Sequence, residues 1–341
     1  VSIARGTTLA GQLAAMGFAD TARAQRLITD DLRLDIADGG MVLIEALAGA
    51  PDPDLALTSL ARLPQDPGLR EALRADPALR ERLVSVLGTS AALGDHLARH
   101  PEDWRVLSGP DALRHPADGE LRAAMLTAVG ALPGDLAPVA DAARAGGRDP
   151  ATALRAAYRR RLLHLAGRDL TGADALDEVM AELADLATAA LEAALAIARS
   201  WLPPGSAPCR LAVIAMGKCG ARELNYASDV DVIFIAEPAE HAEPAETAEP
   251  AETAAETAGA AGETAALRTA TQLASGMIRA CSQSTPEGML FPVDPNLRPE
   301  GRNGPLVRTL ASHRAYYERW AKTWEFQALL KARPVAGDQD L

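Results

Sequence analysis

The stretch AVIAMGKCGARELNYASDVDVIFIAEP, residues 212–238, decides how this chain is read. The run RLAVIAMG that leads into it is rich in β-formers and ends at Gly217, KCGARELNYA is compatible with a helix, and SDVDVIFIA returns to strand. Two aspartates sit one residue apart inside that second apolar run. Burying carboxylates is costly unless something positive meets them. Alternate strand side chains point the same way, so Asp229 and Asp231 are expected to share a face with Cα atoms roughly 6.5 Å apart, while Val230 and Val232 turn to the core.

Two convergent carboxylates raise one another's pKa unless a cation neutralises them. Mg²⁺ suits such a site, because it takes oxygen ligands and completes its shell with waters and substrate phosphates. Asp294, in the strand-like run MLFPVDPNLRP (289–299), is the candidate third acid. Three acids could hold two ions and so stabilise the entering and leaving oxygens of an in-line displacement at phosphorus. Gly217 and Gly220 flank Lys218 at a strand-to-helix turn, where backbone N–H groups can approach phosphate oxygens. Lys218 adds a point charge, and Arg298 and Arg302 could grip phosphate in bidentate fashion. A lone D-x-D is more often an exposed pair of acids. The ordered set is more specific: strand, glycine turn, helix, D-x-D strand, then a third acid followed by arginines. The pattern of a P-loop, the G-x-G-x-x-G of a dinucleotide fold and a G-x-S-x-G nucleophile turn are all missing.

The 341 residues have room for two or three domains and carry a formal charge of −12 with a pI near 5.0, which disfavours a nucleic-acid backbone as partner. Eight of the acids are glutamates between Glu237 and Glu263. Three scattered cysteines, Cys209, Cys219 and Cys281, lack the spacing of a disulfide framework or a zinc site. No secretory pattern opens the chain and no apolar run reaches membrane-spanning length, so cytoplasm is the expected location and no membrane partner is expected.

Composition also predicts the organisation. Residues 1–203 are rich in Ala, Leu and Arg and read as an all-α leader, with LPPGSAPC (202–209) as the joint. Within it PALRERLVSVLG runs from a starting proline to Gly88, and Leu176, Val179, Leu183, Leu186, Ala190, Ala193 and Ile197 form one apolar stripe. His96 and His100 lie four apart and read as a solvated helix end rather than a zinc site. Residues 204–310 read as a catalytic domain, interrupted by a disordered Glu/Ala/Pro insertion at 237–263. Residues 311–341 read as the start of a helical region whose Tyr317, Trp320, Trp324 and Ala328 pack as one stripe. The fold class expected is α+β, with a helical leader, a small mixed sheet with helices and a C-terminal helix.

The glycine turn followed by an acidic pair resembles the polymerase-β-type nucleotidyltransferase superfamily. GKCGARELNYASDVDVIF and the long block VDPNLRPEGRNGPLVRTLASHRAYYERWAKTWEFQALLKARPVAGD are more closely similar to the glutamine-synthetase adenylyltransferase family. VLGTSAALGDHLARHPEDW and YRRRLLHLAGRDLTG resemble the helical leader of the same family. Its members carry two catalytic modules and are much longer, so a longer gene product is expected.

The form E-L-N-Y-x-S-D-x-D resembles the amino-terminal, adenylyl-removing half. The resemblance implies phosphorolysis, in which orthophosphate attacks the AMP–tyrosine phosphodiester of glutamine synthetase and yields ADP. It makes Asp229, Asp231 and Asp294 catalytic and metal-binding residues, with Mg²⁺ as cofactor. Gly217, Lys218, Gly220 and Ser228 match the turn and strand entry, and Gly220-Ala221 stands where many relatives have two glycines. Glutamine synthetase, ATP or ADP, orthophosphate and a PII-type signal protein are the implied partners. Orthophosphate is already ionised near pH 7 and needs no histidine base, and none lies in the motif. Two alternatives stay open: adenylyl transfer from ATP by this same module, and a vestigial site in a binding or regulatory module.

Overall fold

The computed structural model describes residues 8–34, 40–64, 66–239 and 252–341, the side chains of 252–260 excepted. It is α+β and divides into two compact units, Val1–His115 with Arg159–Val179, and Pro116–Tyr158 with Met180–Leu341.

The first unit is helical: α1 (Leu9–Ala15), α2 (Thr21–Arg26), α3 (Met41–Ala48), α4 (Pro53–Ala61), α5 (Pro67–Ala75), α6 (Pro77–Leu87) and α7 (Ala91–Arg99). Asp52, Asp66 and Asp76 each cap a helix that begins on proline, accepting the N–H of Leu55, of Gly68, and of Ala78 and Leu79. Leu13, Ile28, Ile44, Leu47, Leu79 and Leu83 are fully buried in its core. His96 is not at a solvated helix end. It is buried, and its Nε2 lies 2.9 Å from Asp103 Oδ2, while Arg160 Nε donates to the other oxygen at 2.9 Å. A polar ring sealed from water keeps its partner within the protein.

The second unit holds α8 (Glu120–Ala128), a five-stranded mixed sheet and α12 (Glu252–Ser282), with α9 (Pro150–Asp169) and α10 (Leu176–Ser200) each crossing the division. The expected joint at 202–209 therefore lies inside this unit. Two side chains of α10 explain why: Glu192 accepts the N–H of Gly337 at 2.8 Å, and Thr188 accepts from Arg333 at 3.4 Å. The apolar stripe of α10 is buried as expected from Val179 to Ile197, while Leu176 at its start is exposed.

The strands are β1 (Cys209–Ala215), β2 (Val230–Pro238), β3 (Val293–Asp294), β4 (Val307–Arg308) and β5 (Arg333–Gly337). Between β1 and β2 lies the single turn α11 (Gly217–Gly220), shorter than the helix the sequence suggested. The order is β3-β2-β1-β5, with β4 also on β2. β1 pairs antiparallel with β2 and β5, whereas β3 and β4 run parallel to β2. The helix α12 (Glu252–Ser282) packs on β1 and β2. Val213, Ala215, Val230, Val232 and Phe234 form the buried centre of the sheet.

Four expectations change. The third strand shrinks to Val293–Asp294, because Pro292 and Pro295 on either side cannot donate to a ladder. The ends of the 237–263 insertion are regular: Glu237 and Pro238 belong to β2, and α12 starts at Glu252. The expected disorder of residues 240–251 lies outside the described residues. The C-terminal helix is two helices, α13 (Leu310–Arg319) and α14 (Thr323–Leu329), and the chain then returns to the sheet as β5. The stripe on these helices is not core, since Trp320 is 73% and Trp324 52% exposed. Among the described residues no helix is long and apolar enough to cross a membrane.

Candidate active site

The parallel pairing of β2 with β3 sets Asp231 directly opposite Asp294. Asp229 precedes β2 by one residue and is exposed, whereas Asp231 and Asp294 are half-buried. One carboxylate oxygen from each of the three lies within 4.8 Å of the others. Val230 and Val232 on the opposite face are buried, as strand alternation requires. The N–H of Val230 donates to Pro292 O at 2.9 Å, and that of Asn296 to Asp294 Oδ1 at 2.7 Å, which fixes the third acid at the strand end. Burial pushes the Asp231 carboxyl above its ordinary value, and the charges of Asp229 and Asp294 push it further; Lys218 pulls the other way. Such a cluster is electrostatically incomplete. The three hard oxygen donors fit a divalent cation, which would relieve that repulsion.

The glycine turn lies against these acids. Gly217 has φ +53°, and a β-carbon there would come within 2.4 Å of Asp231 Oδ2, so only glycine permits the approach. The N–H of Met216 donates to Asp231 O at 2.8 Å and ties the turn to β2. Ala221, at the position of the replaced glycine, has φ −77°, which any residue adopts, so its methyl is tolerated. Lys218 is exposed and its Nζ donates to Asn225 Oδ1 at 3.0 Å. The Ser228 hydroxyl donates to Asp229 O at 2.8 Å, bracing the entry to β2.

The arginines behave differently from the sequence reading. Arg298 spends its guanidinium on the loop after β3, donating to Gly304 O at 3.2 Å, Pro295 O at 2.8 Å and Arg302 O at 3.5 Å. Burial holds that guanidinium below its usual value, with the Asp294 charge opposing. Its first role in this structure is therefore to shape the loop that follows Asp294. Arg302 is exposed, and its carbonyl rather than its side chain joins the loop network.

Two residues escaped the sequence reading. Arg308, at the end of β4, pairs with Glu300 and adds a second positive charge beside Arg298. Arg333, on β5, donates to the carbonyls of Gly220 and Cys219. No residue spacing announces the Arg333 contacts, because more than a hundred residues and a sheet pairing separate it from the turn.

Comparison with known proteins extends over most of the chain. A profile of the glutamate-ammonia ligase adenylyltransferase family matches residues 80–341. The Streptomyces avermitilis protein named bifunctional glutamine synthetase adenylyltransferase/adenylyl-removing enzyme is 51% identical over 331 residues, covering 94% of this chain and 29% of that protein. The Streptomyces coelicolor protein of the same name is 50% identical over 335 residues, 95% of this chain and 30% of its own length. The Mycobacterium tuberculosis H37Rv protein of that name is 45% identical over 314 residues, 88% of this chain and 27% of its own length. The chain thus spans less than a third of the length of the curated relatives it matches. With a profile match over residues 80–341 and the acids gathered beside the glycine turn, the chain belongs to the glutamate-ammonia ligase adenylyltransferase family.

Proposed function

We propose that the second unit removes AMP from the adenylylated tyrosine of glutamine synthetase by phosphorolysis, with Mg²⁺ held by Asp229, Asp231 and Asp294. The observation that carries the reading is the convergence of three carboxylates within 4.8 Å at the pairing of β2 and β3, with a glycine turn pressed against one of them. The names of the relatives supply the substrate class, since they specify both adenylyl transfer to and adenylyl removal from glutamine synthetase.

In the reaction a hydrogenphosphate oxygen forms a bond to the AMP phosphorus. The bond from that phosphorus to the tyrosine oxygen breaks, its electron pair leaves with the phenolate, and the proton carried by hydrogenphosphate ends on that oxygen. The products are ADP and free tyrosine. A bound divalent cation supplies neutralisation of the phosphoryl oxygens. The chain's own residues position the groups: Gly217 opens backbone access beside Asp231, Ser228 braces Asp229, and Arg298 with Arg308 keeps the loop after Asp294 positive. Lys218 stands at the exposed mouth of the turn, where it can meet a phosphate, as can the exposed Arg302.

Removal is favoured over transfer by one feature. His313 is the only histidine among the described residues of this unit; it is buried, and its Nδ1 faces Thr309 O at 3.1 Å. A tyrosine hydroxyl attacking ATP gains more from a histidine base than ionised phosphate does.

The test is to incubate the protein with adenylylated glutamine synthetase, phosphate and Mg²⁺ and to measure ADP. Asp229→Asn and Asp231→Asn are expected to abolish it. Normal turnover in either variant sinks the reading. A parallel incubation of unmodified synthetase with labelled ATP separates the transfer direction.

A further inference from the structure

We infer that Arg333 is a positioning residue: from β5 it holds the carbonyl end of the glycine turn and thereby keeps Gly217 seated against Asp231. The inference rests on reading the three acids as a cation site, as proposed above.

A helical turn of four residues has little to hold it. The N–H of Gly220 donates to Met216 O at 2.9 Å and that of Ala221 to Gly217 O at 3.2 Å. The carbonyls of Lys218 and Cys219 accept the N–H groups of Glu223 at 2.8 Å and Arg222 at 3.2 Å, but that of Gly220 has no further turn of helix to bind it. Arg333 supplies what is missing from outside. Its Nε donates to Gly220 O at 3.2 Å and its Nη2 to Cys219 O at 3.1 Å, a planar fork spanning two successive carbonyls. The same Nη2 reaches Thr188 Oγ1 at 3.4 Å, which ties the fork to α10.

The contact between turn and β5 is tight. A β-carbon on Gly220 would fall 1.9 Å from the carbonyl of Lys331, just before β5, so the turn can slide no further toward the segment that leads into that strand. At its other end the turn meets the acid site through Met216 and Gly217. The turn is thus clamped between Arg333 and Asp231, and a shift at one end is passed to the other. Arg333 touches none of the acids and acts only through the turn.

The experiment compares the wild-type chain with Arg333→Ala and Arg333→Lys. It reads Mn²⁺ binding by titration, amide hydrogen exchange across 216–224, and thermal melting. For Arg333→Ala, exchange across the turn should quicken and Mn²⁺ affinity should fall by up to roughly tenfold, since Arg333 acts through the turn and direct partners of metal ligands cost tenfold or more. Arg333→Lys, reaching one carbonyl in place of two, should recover part of that loss, and millimolar guanidinium should restore Arg333→Ala. Should Arg333→Ala fail to fold, Arg333→Gln keeps one donor and is read the same way. If a folded variant binds Mn²⁺ as tightly as wild type while its melting temperature drops, Arg333 is a fold staple and the inference is wrong. If the wild-type chain binds no Mn²⁺, the cation reading fails and takes the inference with it.

Discussion

The backbone of Gly217 approaches Asp231 so closely that a β-carbon at 217 would sit 2.4 Å from Oδ2. That one contact joins the turn to the acid site. It also makes Gly217→Ala the most informative single methyl in the molecule. The left-handed φ of +53° costs an alanine about 1–2 kcal/mol, and the clash then forces either the turn or the Asp231 carboxylate aside. We expect a modest loss of stability and a fall in kcat of about 100-fold, the effect of displacing a reacting group by roughly an ångström. Melting curves and kcat measured on the same preparation separate the two. A variant that loses stability but keeps kcat would show that the turn and the acid move independently.

Asp231 is held above its ordinary pKa by burial first and by Asp229 and Asp294 second. Its ionised form therefore opposes folding when no cation is bound. Asp231→Asn keeps the shape and removes the charge, so in chelator-treated protein it should raise the melting temperature by about 2 °C, while ADP formation is lost. Added Mg²⁺ should stabilise the wild-type chain and leave the variant nearly unmoved. A wild-type chain that melts higher than the variant with chelator present would contradict the account.

Much of the acid site was legible because strand alternation is local: Asp229, Asp231 and the buried valines follow from a period of two. Asp294 was also within reach, being the acid of the next strand-like run, and its pairing with Asp231 needed only a neighbouring parallel strand. What the sequence could not reveal is set by distance along the chain. Strand β5 contains Pro334, follows two short helices and is recognisable only by its pairing with β1, so Arg333 was hidden. Arg298 looked like a phosphate ligand because its residue type fits, yet nearby carbonyls claim the guanidinium first. The unit boundary misled for a related reason. Composition changes near 203, but the sheet recruits α10 through Glu192 and Thr188.

The pairing that seals β5 to β1 carries a pH dependence. Arg210 donates to both oxygens of Asp338, at 2.5 and 3.2 Å, and that bond, with further help from backbone N–H groups, holds the carboxyl below its usual value. A depressed folded pKa contributes stability above the unfolded value of about 3.9, and that contribution fades as pH falls through the folded value. Asp338→Asn should therefore cost stability at pH 7, by under about 1 kcal/mol because the pair is partly exposed to solvent. The gap between wild type and variant should close as the pH drops below about 4. Denaturant titrations at pH 7 and at pH 3.5 read it directly, and a gap that widens in acid would reverse the assignment.

Arg155 is fully buried on α9 and donates to several backbone carbonyls. Nε donates to Gly288 O at 2.8 Å, Nη1 to Ala151 O at 2.6 Å, and Nη2 to Ala280 O at 2.8 Å and to Gln283 O. The guanidinium thus closes the C-terminal end of α12, where the last carbonyls of a helix lack partners of their own. Arg155→Met keeps volume but removes the donor to Ala280 O and Gln283 O, while Gly288 O keeps the N–H of Thr285 at 2.9 Å. Each orphaned acceptor costs about 1–3 kcal/mol, so the variant should lose at least about 2 kcal/mol. Because α12 packs on β1 and β2, exchange protection should fall across 209–215 and 230–238 as well as at 276–290. Protection lost only at 276–290, with global stability intact, would mean that the end of α12 opens separately from the sheet it covers.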